Sequence, residues 1–383
     1  MLNALNGSIQ AELVRFFNVI DDSYLSTKSV STAAFCKARM KLSHQAFIEL
    51  NDDLVQVFYE AGTIDKWQGH RLLAVDGSVT QLPISDELLE HFGKARPHAA
   101  MPHVRLSQLY DVKNNITLDL QVESHSTGER EMALKHLNKT QTGDLVVYDR
   151  GYPAVWFYKH HRLKNVDFCM RIVKSSNVVK AFLASGKYSD IVDFPCIEKS
   201  LRRCRKDKIS TESLRLRLVR VDLPGEPEVL VSSLTDLQAY PTALFADLYF
   251  QRWGVEEDYK VLKSRLNIEN YSSVSVEGIL QDLHAKLLTK NLAASAIHDA
   301  KRKMKKPKNK RLYEYKINFT FAINQLKDNV VRFTMKLAEL ELYELLISKI
   351  SKSLSVIRPN RKFVRQDRRN KTNKYPMNYK RMC

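Results

Sequence analysis

The chain has 383 residues, 44% of them hydrophobic, and a formal net charge of +18. That length and apolar content suit two or three domains with real cores, and the charge points to a polyanionic partner. Five scattered cysteines (Cys36, Cys169, Cys196, Cys204 and Cys383) lack zinc-finger spacing, and no apolar run is long enough to span a bilayer. The expectation is therefore a protein of the reducing cytosol, with neither secretion nor membrane insertion.

Residues 1–70 read as helices. "STAAFCKARMKLSHQAFIELNDDLVQVFYEAG" opens with N-cap candidates Ser31 and Thr32, and Phe47, Leu50, Leu54, Val57 and Phe58 recur at helical spacing. Lys37, Arg39 and Lys41 are candidates for DNA contacts or for a solvated face.

Near residue 71 the pattern changes. "RLLAVDGSVTQLP" is a short apolar run ending in Asp76-Gly77-Ser78. "VRLSQLYDV" and "NITLDLQVES" follow as strands around an Asn114-Asn115 turn. "GEREMALKHLN" reads as a helix, "DLVVYDRGYPA" as a buried strand ending at Asp149, "AVWFYKHHRLKN" as a helix and "VDFCMRIV" as a strand. This order predicts an α/β fold, a mixed sheet with helices on its faces.

From about 174 to 240 the pattern is β. Leu214, Leu216 and Leu218 alternate with Arg215 and Arg217, and Pro224-Gly225-Glu226-Pro227 is a turn. We read an inserted β subdomain with one cationic edge at "KSLRRCRKDK". Helices resume near Pro241 and continue through 277–303. "NFTFAINQLKDNVVRFTMKLAELELYELLISKI" reads as a helical pair. Three regions follow from this: a helical region at 1–70 that holds the candidate DNA contacts, a mixed α/β region at 71–300, and a helical region with a basic tail at 301–383.

The positive charge is concentrated at the end. "KRKMKKPKNKR" (301–311) contributes +8, and residues 359–383, with nine Lys or Arg and one Asp, contribute another +8. Such blocks suit phosphate-backbone contacts with salt-dependent affinity.

"YFQRWGVEEDYKVLK" (249–263) carries the most specific pattern. On a helix turning about 100° per residue, Tyr249, Arg252, Glu256 and Lys263 fall within an arc of roughly 60°. Leu248, Val255, Tyr259, Leu262 and Leu266 form an apolar stripe beside them, while Glu257 and Asp258 point elsewhere. Glu256 is thereby selected from the acidic trio. Asp76 and Asp149 supply two further carboxylates at strand ends. Three carboxylates from two strands and a helix can hold two divalent cations, which suits phosphodiester chemistry.

These residues resemble a known family. Tyr249, Arg252, Glu256 and Lys263 match the Y-(2)-R-(3)-E-(6)-K signature of DDE transposases of the bacterial insertion sequence 4 family. "AVDGSVTQLP" resembles the family's first Asp block and "VVYDRGYPA" its second; "STGERE" (126–131) is similar as well. The resemblance covers roughly residues 30–300. It implies an RNase H-like catalytic core with a β insertion between the second Asp and the Glu. It also implies Asp76, Asp149 and Glu256 as catalytic metal ligands, with Mg2+ as two ions and Mn2+ as a substitute. Tyr249, Arg252 and Lys263 would contact the DNA strand. The expected activity is transposition: binding element ends, metal-dependent hydrolysis, then strand transfer into target DNA. The expected assembly is a homodimer or higher in a synaptic complex, in the bacterial cytoplasm at the nucleoid. The rivals are an RNase H-like nuclease without strand transfer and a non-catalytic DNA-binding protein derived from a transposase.

Overall fold

The computed structural model describes residues 8–358 except 22–25, 27–28, 63, 96–97, 223–225, 305–311 and 336–339. Most of the first basic run and the entire basic tail thus lie outside the described residues. In chain order the elements begin with α1 (Ile9–Ile20), α2 (Thr32–Arg39), α3 (Gln45–Glu60), β1 (Leu72–Gln81) and α4 (Asp86–Phe92). Next come β2 (His103–Asp111), β3 (Ile116–Ser124), α5 (Glu129–His136), β4 (Leu145–Tyr148), α6 (Val155–Leu163) and β5 (Asp167–Ile172). The insertion follows with α7 (Asn177–Ala184), β6 (Ser189–Phe194), α8 (Glu198–Lys206), β7 (Leu214–Val221) and β8 (Glu228–Ser232). The last elements are α9 (Leu244–Phe250), α10 (Trp253–Ser264), α11 (Val276–Lys303), β9 (Glu314–Ile317), α12 (Phe319–Thr334), α13 (Leu340–Lys352) and β10 (Leu354–Ile357).

Contacts divide the chain into two discontinuous units. One comprises Met1–Gly62, Gln81–His103 and Lys260–Cys383; the other comprises Thr63–Thr80 and Val104–Tyr259.

The second unit is built on an eight-stranded sheet in the order β3-β2-β1-β4-β5-β8-β7-β6. β1, β4 and β5 are parallel, whereas β2/β3, β5/β8, β8/β7 and β7/β6 are antiparallel. The expected mixed α/β arrangement is present. β4 is the all-apolar run Leu-Val-Val-Tyr, buried throughout, as a parallel strand covered on both faces must be. The inserted strands extend this same sheet at β5, and α7 and α8 fall within the insertion. On β7 the leucines are buried as the alternation predicts, but Arg217 is buried too. It donates to Ser189 Oγ at 2.8 Å, Tyr240 O at 2.6 Å and Thr242 Oγ1 at 3.1 Å, so its charge is internally solvated. The basic stretch before it folds as α8, where Arg203 is held by Glu131 and Asp207 at 2.5 and 2.6 Å.

In the first unit, Ser31 caps α2 by accepting from Ala34 N–H at 3.1 Å. Phe47 of α3 packs with Ala285 and Leu288 of α11, joined by Leu54 and Leu292. Leu50 and Val57, expected on the same apolar face, are 52% and 63% exposed. The apolar face of α3 therefore meets α11 along only part of the predicted stripe. Arg39, a DNA-contact candidate, is buried and donates to Gln281, Ser272, Gly278 O and Asp282. Its guanidinium is spent inside the fold; Lys37 and Lys41 are exposed. The expected α12–α13 pair is present, with a short β9–β10 ladder beside it in sequence. Among the described residues no helix is long and apolar enough to cross a membrane.

Candidate active site

Asp76 does not end a strand, as the sequence suggested. β1 continues for five more residues to Gln81. What ends at Asp76 is full burial: Leu72 to Val75 are buried, and Asp76 to Ser78 only partly so. The strand continues because the sheet, rather than the apolar run, fixes its length. Asp149 does follow β4 directly, as expected. β1 and β4 are parallel, with Ala74 opposite Val147. Asp76 and Asp149 each stand two residues beyond this last pair, and Asp149 acts on Asp76 electrostatically. The Gly151 N–H donates to Asp149 Oδ1 at 2.7 Å and holds that carboxylate at the strand end.

The third carboxylate arrives on a broken helix. Residues 249–263 are not one helix: α9 ends at Phe250 and α10 begins at Trp253. Across the break the bonds shorten to i→i−3, with Arg252 N–H to Tyr249 O at 3.1 Å and Gly254 N–H to Gln251 O at 2.9 Å. A single 100° wheel through Tyr249 therefore does not apply. A Cβ at Gly254 would stand 2.8 Å from Val112 Cγ1, so α10 begins against the end of β2 at a distance only glycine allows.

Within α10 the wheel holds. Val255 and Leu262 are fully buried and Tyr259 nearly so, as are Leu248 and Leu266 on either side. Glu257 is exposed. Asp258 is buried and accepts from Gln108 Nε2 at 2.6 Å, which makes it a packing residue. Tyr259 Oη donates to the Asp76 carbonyl at 3.1 Å, tying α10 to β1. Glu256 Oε1 accepts from Arg252 Nη2 at 2.7 Å. Arg252 is itself buried between Tyr249 and Trp253, 5.6 and 5.2 Å from their ring centres. Lys263, on the last turn of α10, belongs to the first unit, with Nζ 3.8 Å from Glu269.

Electrostatics shows what is brought together. Burial pushes the Asp76 carboxyl up to about 6; Arg252 and the Gly77 N–H oppose this, while Glu256 and Asp149 add to it. The three predicted carboxylates and Arg252 thus act on one another. Burial pushes the Tyr249 hydroxyl up to about 12, against the pull of Arg252 and Arg171. Burial works against the charge of Arg252, yet Tyr249, Glu256 and Asp76 together raise it above its ordinary value.

Two further residues stand here: Glu129, which the sequence did not single out, and Tyr152, which it marked only as flanking Asp149. Glu129, the first residue of α5, turns its oxygens toward Gly77 and Gly151. A Cβ at those glycines would lie 3.4 Å from Glu129 Oε1 and 3.7 Å from Oε2. The Tyr152 hydroxyl is buried and, among the described residues, has no hydrogen-bond partner. Its titration is driven far upward by burial and then by Glu129, Asp76 and Asp149. The available signal for Glu129 was its place in "STGERE", which carries no spacing rule of its own.

The donors suit a hard divalent cation in kind, being carboxylate oxygens held close enough to repel one another. An orphaned buried hydroxyl beside them is a further polar group for such an ion's water shell. Among the described residues no group of three or more His, Cys, Asp or Glu side chains is placed to hold a metal ion, and Glu256 is turned to Arg252.

The transposase DDE domain family matches residues 67–292. The transposase InsG for insertion sequence element IS4 of Escherichia coli (strain K12) is 24% identical over 69% of this chain and 60% of its own length. The transposase for insertion sequence element IS231E of Bacillus thuringiensis subsp. finitimus is 20% identical over 68% of this chain and 62% of its own. The chain thus spans about six-tenths of these curated relatives. A solved piggyBac transposase synaptic complex with hairpin DNA aligns at a TM-score of 0.40 and 11% identity, over 74% of this chain and 57% of that one. With the domain match extending over more than half of its residues, the chain belongs to the DDE transposases of the insertion sequence 4 family.

Proposed function

We propose that this chain binds the ends of its own element, cleaves them by metal-dependent phosphodiester hydrolysis and joins the freed 3′ end to target DNA. The observation that carries this is the β1–β4 register, with Asp76 and Asp149 each two residues beyond the paired Ala74 and Val147, together with the action of Arg252, Glu256 and Asp149 on the Asp76 carboxyl. Asp76, Asp149 and Glu256 would hold Mg2+, as two ions, with Mn2+ able to substitute. Such a pair activates an attacking oxygen and stabilises the leaving oxygen of a phosphodiester.

The chain's own residues do the rest. Arg252 orients Glu256 and keeps its buried, unpartnered Nε for a phosphate oxygen. Tyr249 braces Arg252 and, with Lys263, lies along the strand near the cut. The N-terminal helical region reads the element end, and the basic tail adds sequence-independent phosphate contacts. Two ends must be processed together, so the working form is a homodimer or larger.

The test uses a duplex carrying the inverted repeats that flank the coding sequence. Wild-type protein with Mg2+ should cleave this duplex and join it to a target. Asp76→Asn, Asp149→Asn and Glu256→Gln should bind it and fail to cleave. Losing a charged ligand removes several kcal/mol of transition-state stabilisation, or about a hundredfold or more in rate. Cleavage without joining would make the protein a nuclease, and binding without cleavage a non-catalytic descendant.

A further inference from the structure

Helix α5 contributes nothing to the three-carboxylate pattern, yet its first residue reaches the same place. The ordinary reading of Glu129 is a helix-terminal acid. It stands in the first turn of α5, where the dipole favours negative charge. It also pairs with Arg105 Nη1 at 3.4 Å, and its side chain is 46% exposed. Those facts alone describe a solvated ion pair.

Three observations turn Glu129 inward. First, its carboxylate fills the space over both glycines that flank the predicted aspartates. A Cβ at Gly77 would stand 3.4 Å from Oε1; one at Gly151 would stand 3.7 Å from Oε2 and 3.0 Å from Asp149 Oδ1. Glu129 and Asp149 therefore border the same small volume. Second, α5 is anchored to this loop, because Arg130 Nε donates to the Tyr152 carbonyl at 3.0 Å. The anchor fixes Glu129 on the site side of the helix. Third, the Tyr152 hydroxyl, on a residue only 1% exposed, has no partner among the described residues and feels Glu129, Asp76 and Asp149 at once. A buried donor without an acceptor costs free energy unless something occupies the space it faces. Carboxylates on several sides and an unpaired hydroxyl together suit a hydrated divalent cation.

We propose that Glu129 is a fourth acidic residue of this site, holding a divalent cation or its water shell together with Asp76, Asp149 and the Tyr152 hydroxyl. This rests on the active-site reading above, so the test separates the two. Mn2+ binding to the full chain is titrated without DNA, by electron paramagnetic resonance of the free ion. Wild type, Asp149→Asn, Glu129→Gln and Tyr152→Phe are compared, each with a melting curve in chelator.

Glu129→Gln is expected to weaken Mn2+ binding by roughly 10–100-fold with its metal-free melting curve unchanged. Tyr152→Phe should weaken it by a smaller factor. If Asp149→Asn loses Mn2+ while Glu129→Gln binds it as wild type does, Glu129 is only Arg105's partner and the proposal is overturned. If Asp149→Asn also binds as wild type does, the underlying active-site reading fails instead. Should Glu129→Gln melt early, Tyr152→Phe decides, and a wild-type affinity there overturns the proposal.

Discussion

The two ends of helix α5 carry similar chemistry and opposite electrostatics. At its C-terminal end, His136 is fully buried, with Nδ1 2.8 Å from Asp119 Oδ2 and Nε2 2.9 Å from Ser107 Oγ. Gln121 Nε2 donates to the same Asp119 oxygen at 2.6 Å. Burial pushes the Asp119 carboxyl up, but the hydrogen bond and charge of His136, with Gln121, outweigh it and hold the group below the usual range. This is a Ser–His–Asp chain, the order used in acyl transfer, but Ser107 is inaccessible and every member is satisfied. It staples α5 to β2 and β3. At the N-terminal end Glu129, Asp76 and Asp149 gather with an unpaired tyrosine hydroxyl, and Asp76 is pushed up to about 6. Asp119 is the more buried carboxylate and is lowered; Asp76 is the less buried and is raised. The difference is compensation, and uncompensated charge is what a catalytic site must hold ready for its ligand.

The largest test breaks the satisfied end. His136→Ala leaves Asp119 buried without its main partner, which should cost about 3–5 kcal/mol in urea denaturation. Mn2+ affinity of the folded fraction should be unchanged. A loss below about 1 kcal/mol would mean the chain is not a staple, and altered Mn2+ affinity would mean the two ends are coupled.

The next test has the opposite sign. The Asp76 carboxyl rises from an ordinary 3.8 to about 6 on folding. Between those values the folded protein binds more protons than the unfolded one. The stability contributed by protonation is therefore complete below pH 3.8 and lost as pH rises through 6. At pH 8 in chelator the ionised group should cost about 1–3 kcal/mol, the upper figure being reduced because Asp76 is partly exposed. Asp76→Asn should accordingly stabilise the metal-free protein at pH 8, with little gain at pH 4. Equal effects at both pH values would remove the electrostatic contrast. Excess Mg2+ should shrink the gain, by stabilising wild type alone.

A third substitution probes how the acidic end is assembled. Gly254→Ala places a Cβ 2.8 Å from Val112 Cγ1, which should cost about 1–3 kcal/mol as α10 moves off β2. Cleavage should fall more than stability, since Glu256 lies two residues further along the same helix. A wild-type cleavage rate would show that the site tolerates displacement of α10.

What the sequence disclosed was the part written in local pattern. β1 and β4 are apolar runs because parallel strands are buried on both faces, and an aspartate in or after such a run stands out. The Tyr249–Lys263 spacing was equally visible. The break between α9 and α10 was not, nor was the close approach of Gly254 to Val112, a residue far away in sequence. Glu129 was hidden for the same reason: an acid at the start of a helix is common, and only the docking of α5 through Arg130 turns it inward. The insertion read as β, but that its strands would extend the core sheet depends on pairing β8 with β5, which no local feature specifies. Leu50 and Val57 fit the periodicity of α3, yet the contact with α11 is narrower than the stripe.

The smallest expected effect tests the register of α10 directly. Glu256 and Glu257 are adjacent and chemically identical, so composition cannot separate them. On α10 they lie about 100° apart. Glu256 is held by Arg252 at 2.7 Å, and Glu257 is exposed. Glu257→Gln should therefore change stability by less than about 0.5 kcal/mol, the usual range for a surface substitution. End cleavage should remain near the wild-type rate and Mn2+ affinity should not move. Glu256→Gln should lose cleavage by about a hundredfold or more, because it would remove a charged ligand of the proposed metal site and also leaves Arg252 buried without its carboxylate. Both variants should be assayed at one salt concentration, since removing a carboxylate near DNA tightens binding at low ionic strength and can mimic a gain. If Glu257→Gln were the inactive one, the turn at Gln251–Arg252 would open differently in the working enzyme. The inward face of α10 would then be one residue out of step with the helix described above.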